Sequence, residues 1–179
     1  AHGGSFAFSV LDAVLMGRTA HQGLFAAPSE RDRAAAGAAL DRLGLGALAA
    51  RPVTEISGGE RQLAMIARAL AQEPRLVVLD EPTASLDFGN QGRVMAEIRA
   101  LGAAGLGVLF TTHDPNQARR FADRAVLIRA GREVGAGPVD RVLTRASLEA
   151  LYGAPVEIVG GGASEPTAFL PGTPAPSRS

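Results

Sequence analysis

Three groups of residues in this 179-residue sequence have the types and spacing for phosphate chemistry. The first is Ser57-Gly58-Gly59-Glu60, at the start of a segment with helical spacing of apolar residues. Two glycines ahead of a helix let backbone amides approach a ligand, and the helix N-terminus carries partial positive charge, which favours phosphate. The same residues also read as a plain turn with a serine cap. The second group is Asp80-Glu81, directly after the apolar run Leu76-Val77-Val78-Leu79. In an open α/β sheet, ligands bind beyond the carboxyl ends of the strands. There an aspartate suits the Mg²⁺ that bridges phosphates. A neighbouring glutamate can polarise an attacking water as general base, worth about 10²–10⁴-fold in rate. A helix cap beside a solvated acid is the competing reading. The third is His113, just past the run Gly107 to Thr112. An imidazole there can contact a γ-phosphate or hold the water and Glu81 in place. A lone histidine also fits a satisfied structural role. Joint placement favours chemistry, because Asp80, Glu81 and His113 end two strands expected to be neighbours in one sheet. His2 and His21 have no such setting and are read as structural.

The elements that must position these groups follow from periodicity and caps. Ser9-Val10-Leu11-Asp12 and Ser29-Glu30-Arg31-Asp32 fit capping boxes. They open a short amphipathic helix to about Met16 and an alanine-rich helix toward Leu43, stopped by Gly44. Gly17 to Pro28 reads as a loop carrying His21, Leu24 and Phe25, and Gly46 to Ala50 as a helical turn. Residues 6–53 carry no strand signal. Leu63, Ile66, Ala67 and Leu70 make a helical stripe closed by Pro74, and Arg75 to Asp80 reads as a fully buried strand. Val94, Ile98 and Leu101 mark another helix, Gly107 to Thr112 another strand, and Asp114-Pro115 a cap with a first-turn proline. Ala125 to Ile128 is a strand turning at Ala130-Gly131-Arg132 into Glu133-Val134, and Ser147 to Tyr152 a last helix. The alternation predicts an α/β layer with parallel strands. Gly160 to Ser179, rich in Gly, Pro and Ser, has little to bury and reads as a disordered tail.

Composition narrows the function classes. Lys+Arg and Asp+Glu are 18 each, so no global field recruits nucleic acid or an anionic membrane. With 46% hydrophobic residues a sizeable core is available, and the absence of cysteine excludes disulfides and thiolate metal sites. No apolar run approaches the roughly 18–20 residues of a membrane span. The N-terminus lacks the basic and apolar regions of a signal peptide, and it starts at Ala1, which suits processing and a fragment equally.

Taken in order, Ile56-Ser57-Gly58-Gly59-Glu60, Leu76 to Pro82, Ser85-Leu86-Asp87 and Thr111-Thr112-His113-Asp114 resemble the signature, Walker B, D-loop and H-loop of an ATP-binding cassette (ABC) transporter ATPase. The resemblance covers about residues 5–158. Phe8-Ser9-Val10, Val14 to Arg18, Leu86 to Gln91 and Leu151 to Val156 resemble the importers of ferric siderophores, haem or cobalamin. The implied fold is an α/β P-loop NTPase core lacking its N-terminal strands and P-loop, with a helical subdomain. The implied layout is a permease-facing helical subdomain over 1–53, the C-terminal part of the ATPase core over 54–158, and a tail over 159–179.

The resemblance also implies roles. Two subunits would pair head to tail as a homodimer, with ATP and Mg²⁺ as cofactors. Ser57, Gly58 and Gly59, with Glu60 beside them, would meet the γ-phosphate of the partner's ATP. Asp80 would serve Mg²⁺ through water, Glu81 would be the general base, Asp87 would cross the dimer interface, and His113 would be the switch. Transmembrane permease subunits would be the docking partners, with a substrate-binding protein engaged indirectly and no nucleic acid. The subunit would sit peripherally at the cytoplasmic face of the membrane. Ile56 replaces the usual leucine, and Glu60 stands where glutamine is common. No G-x-x-x-x-G-K-[ST] loop occurs in the chain. The 179 residues alone are therefore expected to bind ATP poorly and hydrolyse it little, and the missing strands to leave an open sheet edge. A soluble ABC-type ATPase of DNA maintenance is disfavoured by the absence of sustained heptads and of a basic footprint. A non-catalytic interaction module fits the missing loop, but not the intact Glu81 and His113.

Overall fold

A computed structural model describes residues 8–21, 27–160 and 168–172, with residues 20 and 21 as backbone alone. His2, the side chain of His21, Leu24, Phe25 and most of the C-terminal tail lie outside the described residues. The chain divides into two compact units, Ala1–Thr111 and Thr112–Ser179. The expected boundary at residues 53 and 54 falls inside the first.

Both early capping boxes form. Ser9 accepts from Asp12 N at 3.1 Å and opens α1, Val10–Leu15, while Ser29 accepts from Asp32 N at 3.2 Å and opens α2, Glu30–Arg42. Between them Met16–His21 is a 3-10 helix where a loop was expected. Its tightness has a cause. Gly17 lies so close to α3, Gly58–Leu70, that a Cβ there would stand 2.2 Å from the Arg68 carbonyl oxygen. The next residue, Arg18, is buried at 2% exposure. Its Nε donates to Asp32 Oδ1 at 2.9 Å, and Nη1 donates to Ala71 O at 2.8 Å and Glu73 Oε2 at 3.0 Å. Bonds from Ser29 and the Arg18 guanidinium hold the Asp32 carboxyl well below the usual carboxylate range. One arginine thus ties the first helical segment to α2 and to the end of α3.

The expected stripe on α3 is the core of this unit, with Leu63, Ala64, Ile66 and Ala67 all at or below 1% exposure. Helices α1, α2 and α4, Phe88–Ala103, pack on α3, and Val94, Met95, Ile98 and Leu101 of α4 are buried. Strands β1, Leu76–Leu79, and β2, Gly107–Phe110, pair in parallel as expected, with Leu79 opposite Phe110. Burial of β1 differs from expectation. Val77 and Leu79 are buried, whereas Leu76 and Val78 are 56% and 62% exposed, and Leu109 of β2 is 55% exposed. Successive side chains of a strand point to opposite faces, and α4 covers one face of this sheet.

In the second unit α5, Pro115–Phe121, starts at the Asp114 cap with its first-turn proline, as read. The parallel expectation stops there. Strands β3, Arg124–Arg129, and β4, Arg132–Pro138, form an antiparallel hairpin through Ala130 and Gly131, both at positive φ. A two-residue turn with both residues left-handed matches the twist of antiparallel strands. Short α6, Val139–Val142, follows, then α7, Arg145–Tyr152, and β5, Val156–Val159. The tail reading fails at one place. Ala168–Pro171 form β6, antiparallel to β5, because Phe169 has a core to enter at 4% exposure beside Leu148 and Val156.

Candidate functional site

Ser57 starts α3 as a capping residue. Glu60 N donates to its hydroxyl at 3.2 Å, and Ser57 N donates to Glu60 Oε2 at 2.8 Å. The cap reading holds, because the hydroxyl satisfies one early amide, and Gly58 and Gly59 occupy the first two helical positions. The Ser57 amide and hydroxyl, with more distant Arg93 and Arg51, lower the Glu60 pKa. The acid that replaces glutamine is therefore an anion built into the helix start.

The two glycines are not equivalent. A Cβ at Gly58 would make an ordinary 3.6 Å contact with Leu86, whereas one at Gly59 would lie 2.2 Å from Asn90 Oδ1 and 3.0 Å from its Cβ. Asn90 cannot retreat freely. Its backbone amide donates to Asp87 Oδ1 at 3.0 Å and its side-chain amide to Asp87 Oδ2 at 2.7 Å. Asp87 caps α4, and the Asn90 bonds lower its pKa. The structure thus brings Ser57-Gly58-Gly59 and Asp87 together through Asn90, a residue to which sequence reasoning gave no role. Its signal was present in the capping offset, three residues after Asp87.

At the carboxyl ends of β1 and β2 the parallel register sets Thr111 opposite Asp80. The Thr111 hydroxyl donates to Asp80 Oδ1 at 2.5 Å and accepts from Glu81 N at 2.9 Å. Glu81 has φ of 42°, a left-handed conformation unfavourable for a residue with a Cβ. Such strain persists only where the surroundings enforce it, and the Thr111 bond together with buried Pro82 and Thr83 does so. Asp80 and Glu81 are exposed at the end of β1. Thr111 is the second residue that sequence reasoning quoted without a role; the strand register was its signal.

Mg²⁺ keeps several waters and takes one or two protein carboxylates plus phosphate oxygens. The donors fit that mode, since Asp80 is an accessible carboxylate with one oxygen already oriented by Thr111. Among the described residues no group of three or more His, Cys, Asp and Glu could cage a metal by itself.

His113 belongs to the second unit and is exposed. Its carbonyl accepts from Tyr152 Oη at 3.0 Å, and the next residue, Asp114, donates its amide to Thr112 Oγ1 at 3.0 Å and accepts from Asn116 N at 2.8 Å. No helix among the described residues is long and apolar enough to cross a membrane. The sequence contains no lysine, every one of its 18 basic residues being arginine. No Walker A lysine is supplied by these residues.

Known proteins similar in sequence and fold point to one family. The ABC transporter family profile matches residues 7–84. The molybdate import ATP-binding protein MolC of Haemophilus influenzae is 44% identical over 152 residues, 84% of this chain and 60% of that protein. The hemin import ATP-binding protein HmuV of Burkholderia lata is 40% identical over 178 residues, 93% of this chain and 65% of that protein. A metal-chelate type ABC transporter, solved in an inward-facing conformation, superposes with a TM-score of 0.85 at 40% identity, covering 97% of this chain and 70% of that one. An ATP-binding cassette in its ADP conformation shares the fold, with a TM-score of 0.73 at 24% identity. The chain spans less than two thirds of the length of the two curated relatives described. With the four motifs in order, their geometry and these similarities, the chain belongs to the ATP-binding family of ABC transporters.

Proposed function

We propose that these residues are the signature- and Walker B-bearing part of an ATPase subunit that drives import of a metal chelate, of ferric-siderophore, haem or cobalamin type, through a membrane permease. The observation that carries the reading is the strained Glu81 beside Asp80, both ordered by one Thr111 hydroxyl at the end of a parallel strand pair. The similarity to a hemin import protein and to a metal-chelate type transporter supports the cargo class, while the molybdate relative keeps oxyanion cargo as the alternative.

Glu81 takes the proton of the attacking water as the water oxygen bonds to the γ-phosphorus of ATP. The bond from that phosphorus to the β–γ bridging oxygen breaks, and its electron pair leaves with ADP. Mg²⁺, when bound, would supply neutralisation of phosphate charge, and Asp80, with one oxygen held by the Thr111 hydroxyl, would hold the ion's water shell. Ser57, Gly58 and Gly59 present the start of α3 to the γ-phosphate held by a second copy, Glu60 completes their cap, and Asp87 crosses to that copy. His113 orients the water and the γ-phosphate. The helical segment before residue 54 faces the permease, which places the subunit at the cytoplasmic membrane face, with a substrate-binding protein engaged only through the permease.

In the subunit with a Walker A segment in place, Glu81→Gln should cut steady-state ATP turnover by about 10²–10⁴-fold and accumulate ATP-bound dimers. Normal turnover in that variant removes Glu81 as the base. Ser57→Arg should block hydrolysis while nucleotide still binds, and unaltered turnover there would count against a signature acting in trans.

A further inference from the structure

The turn carrying His113 is held in an unusual way for a residue assigned to orient a reacting water. Beneath it lies a cavity of about 520 Å³ whose lining includes His113, Asn116, Leu148, Tyr152, Val156 and Phe169. The cavity is half open, so the turn is backed by packed side chains on part of its surface only. Two polar links cross its rim.

The first joins the end of α7 to the turn. Tyr152 Oη donates to the carbonyl of His113 itself, at 3.0 Å. Burial, with the Asp114 carboxylate adding to it, pushes the Tyr152 phenol pKa up, so the donor keeps its proton throughout the working pH range. The second joins the C-terminal hairpin to the first turn of α5. Asn116 Nδ2 donates to Phe169 O at 3.0 Å, and Phe169 N donates to Asn116 Oδ1 at 2.7 Å. A side-chain amide here imitates a strand edge, satisfying both polar groups of one β6 residue. Phe169 is in turn anchored beside Leu127, Val139, Leu143, Leu148 and Val156. The chain of restraint runs from that core to β6, from β6 to α5, and from α7 to the His113 carbonyl.

We propose that Tyr152 and Asn116 are positioning residues which, through α7 and the β5–β6 hairpin, fix the turn that presents His113 to the nucleotide. The inference rests on the reading of His113 as the switch. Neither side chain touches ATP in this scheme. Because the Tyr152 bond is partly exposed, it adds little to folding stability. A misplacement of about 1 Å at a reacting centre, by contrast, can cost on the order of 10²-fold in rate.

The test uses the subunit with its Walker A segment, assembled with its permease in lipid vesicles. Tyr152→Phe keeps the ring and removes only the donor. Its kcat for ATP should fall roughly tenfold, with KM within about twofold and the melting temperature unchanged, as expected for lost positioning rather than lost binding or folding. Asn116→Ala should raise amide hydrogen exchange across residues 112–117 and lower kcat, with a stability loss of its own. A Tyr152→Phe variant with normal kcat overturns the inference. So does a Tyr152→Phe kcat loss that merely tracks a lowered melting temperature. His113→Ala in the same preparation separates the two layers. If it retains full turnover, the switch reading itself fails. If it is inactive while Tyr152→Phe is normal, only the brace fails.

Discussion

The helix start at Ser57 and the turn at His113 are both proposed to meet a nucleotide, and they are held differently. At Ser57 excluded volume adds to the capping bonds with Glu60. Gly59 is pressed against Asn90, Asn90 is bonded twice to Asp87, and the helix behind is buried along Leu63, Ile66 and Ala67. At His113 the residue is exposed above a cavity and is located by hydrogen bonds from Tyr152 and, through α5, from Phe169. A position set by overlap tolerates loss of a hydrogen bond but not an added methyl group. A position set by hydrogen bonds over a half-open pocket behaves the other way round. Under the proposed roles, the first would suit a surface that meets a second subunit in one geometry, the second a group that changes contacts during turnover.

That contrast can be broken by substitution. The largest stability effect belongs to Gly17→Ala, where the added carbon meets the backbone carbonyl of Arg68 rather than a movable side chain. Thermal or urea denaturation should show a loss at or above the usual overpacking cost of about 1–3 kcal/mol. Gly59→Ala should cost about 1–3 kcal/mol by the same measurement, and Asn90→Ala in that background should recover much of it, since the two sites share one contact. An additive double variant would show that Asn90 does not set the glycine. Asn116→Ala, which strands the backbone groups of buried Phe169, should cost about 1–2 kcal/mol. Gly58→Ala should be smallest and opposite in sign, a gain of about 0.5 kcal/mol, because its Cβ meets only an ordinary contact with Leu86. Equal losses at Gly58 and Gly59 would abolish the distinction.

Acid titration sharpens the same point for the helical segment. The folded-state pKa of Asp32 is depressed by Ser29 and Arg18. Its stabilising contribution is therefore present above the unfolded value of about 4 and is lost as pH falls toward the folded value. Stability of the chain should decline below about pH 4, and Asp32→Asn, already weaker at neutral pH, should show a shallower decline. An unchanged slope would show that the Arg18 pair is not what ties this segment down.

Much of this was legible in the linear order of residues. The capping boxes at Ser9 and Ser29, the stripe on α3, the parallel pairing of β1 with β2 and the proline-opened α5 all formed as read, because each depends on neighbours within a few positions or on a strong period. The four motifs, and with them the family, were also local. Other features needed the tertiary structure. Whether Leu76 and Val78 are buried depends on what covers the sheet, not on their own hydrophobicity. That Ala168–Pro171 form a strand depends on a core waiting for Phe169, although the surrounding Gly, Pro and Ser residues argue for disorder. The left-handed Glu81, the Asn90 wedge against Gly59, and the Tyr152 bond to His113 join residues as many as 39 positions apart. The sequence by itself determined which side chains could carry the chemistry and which helices and strands bear them. Tertiary structure alone decided which are locked by volume and which are held by hydrogen bonds, because excluded volume and hydrogen-bond geometry exist only between segments that folding brings together.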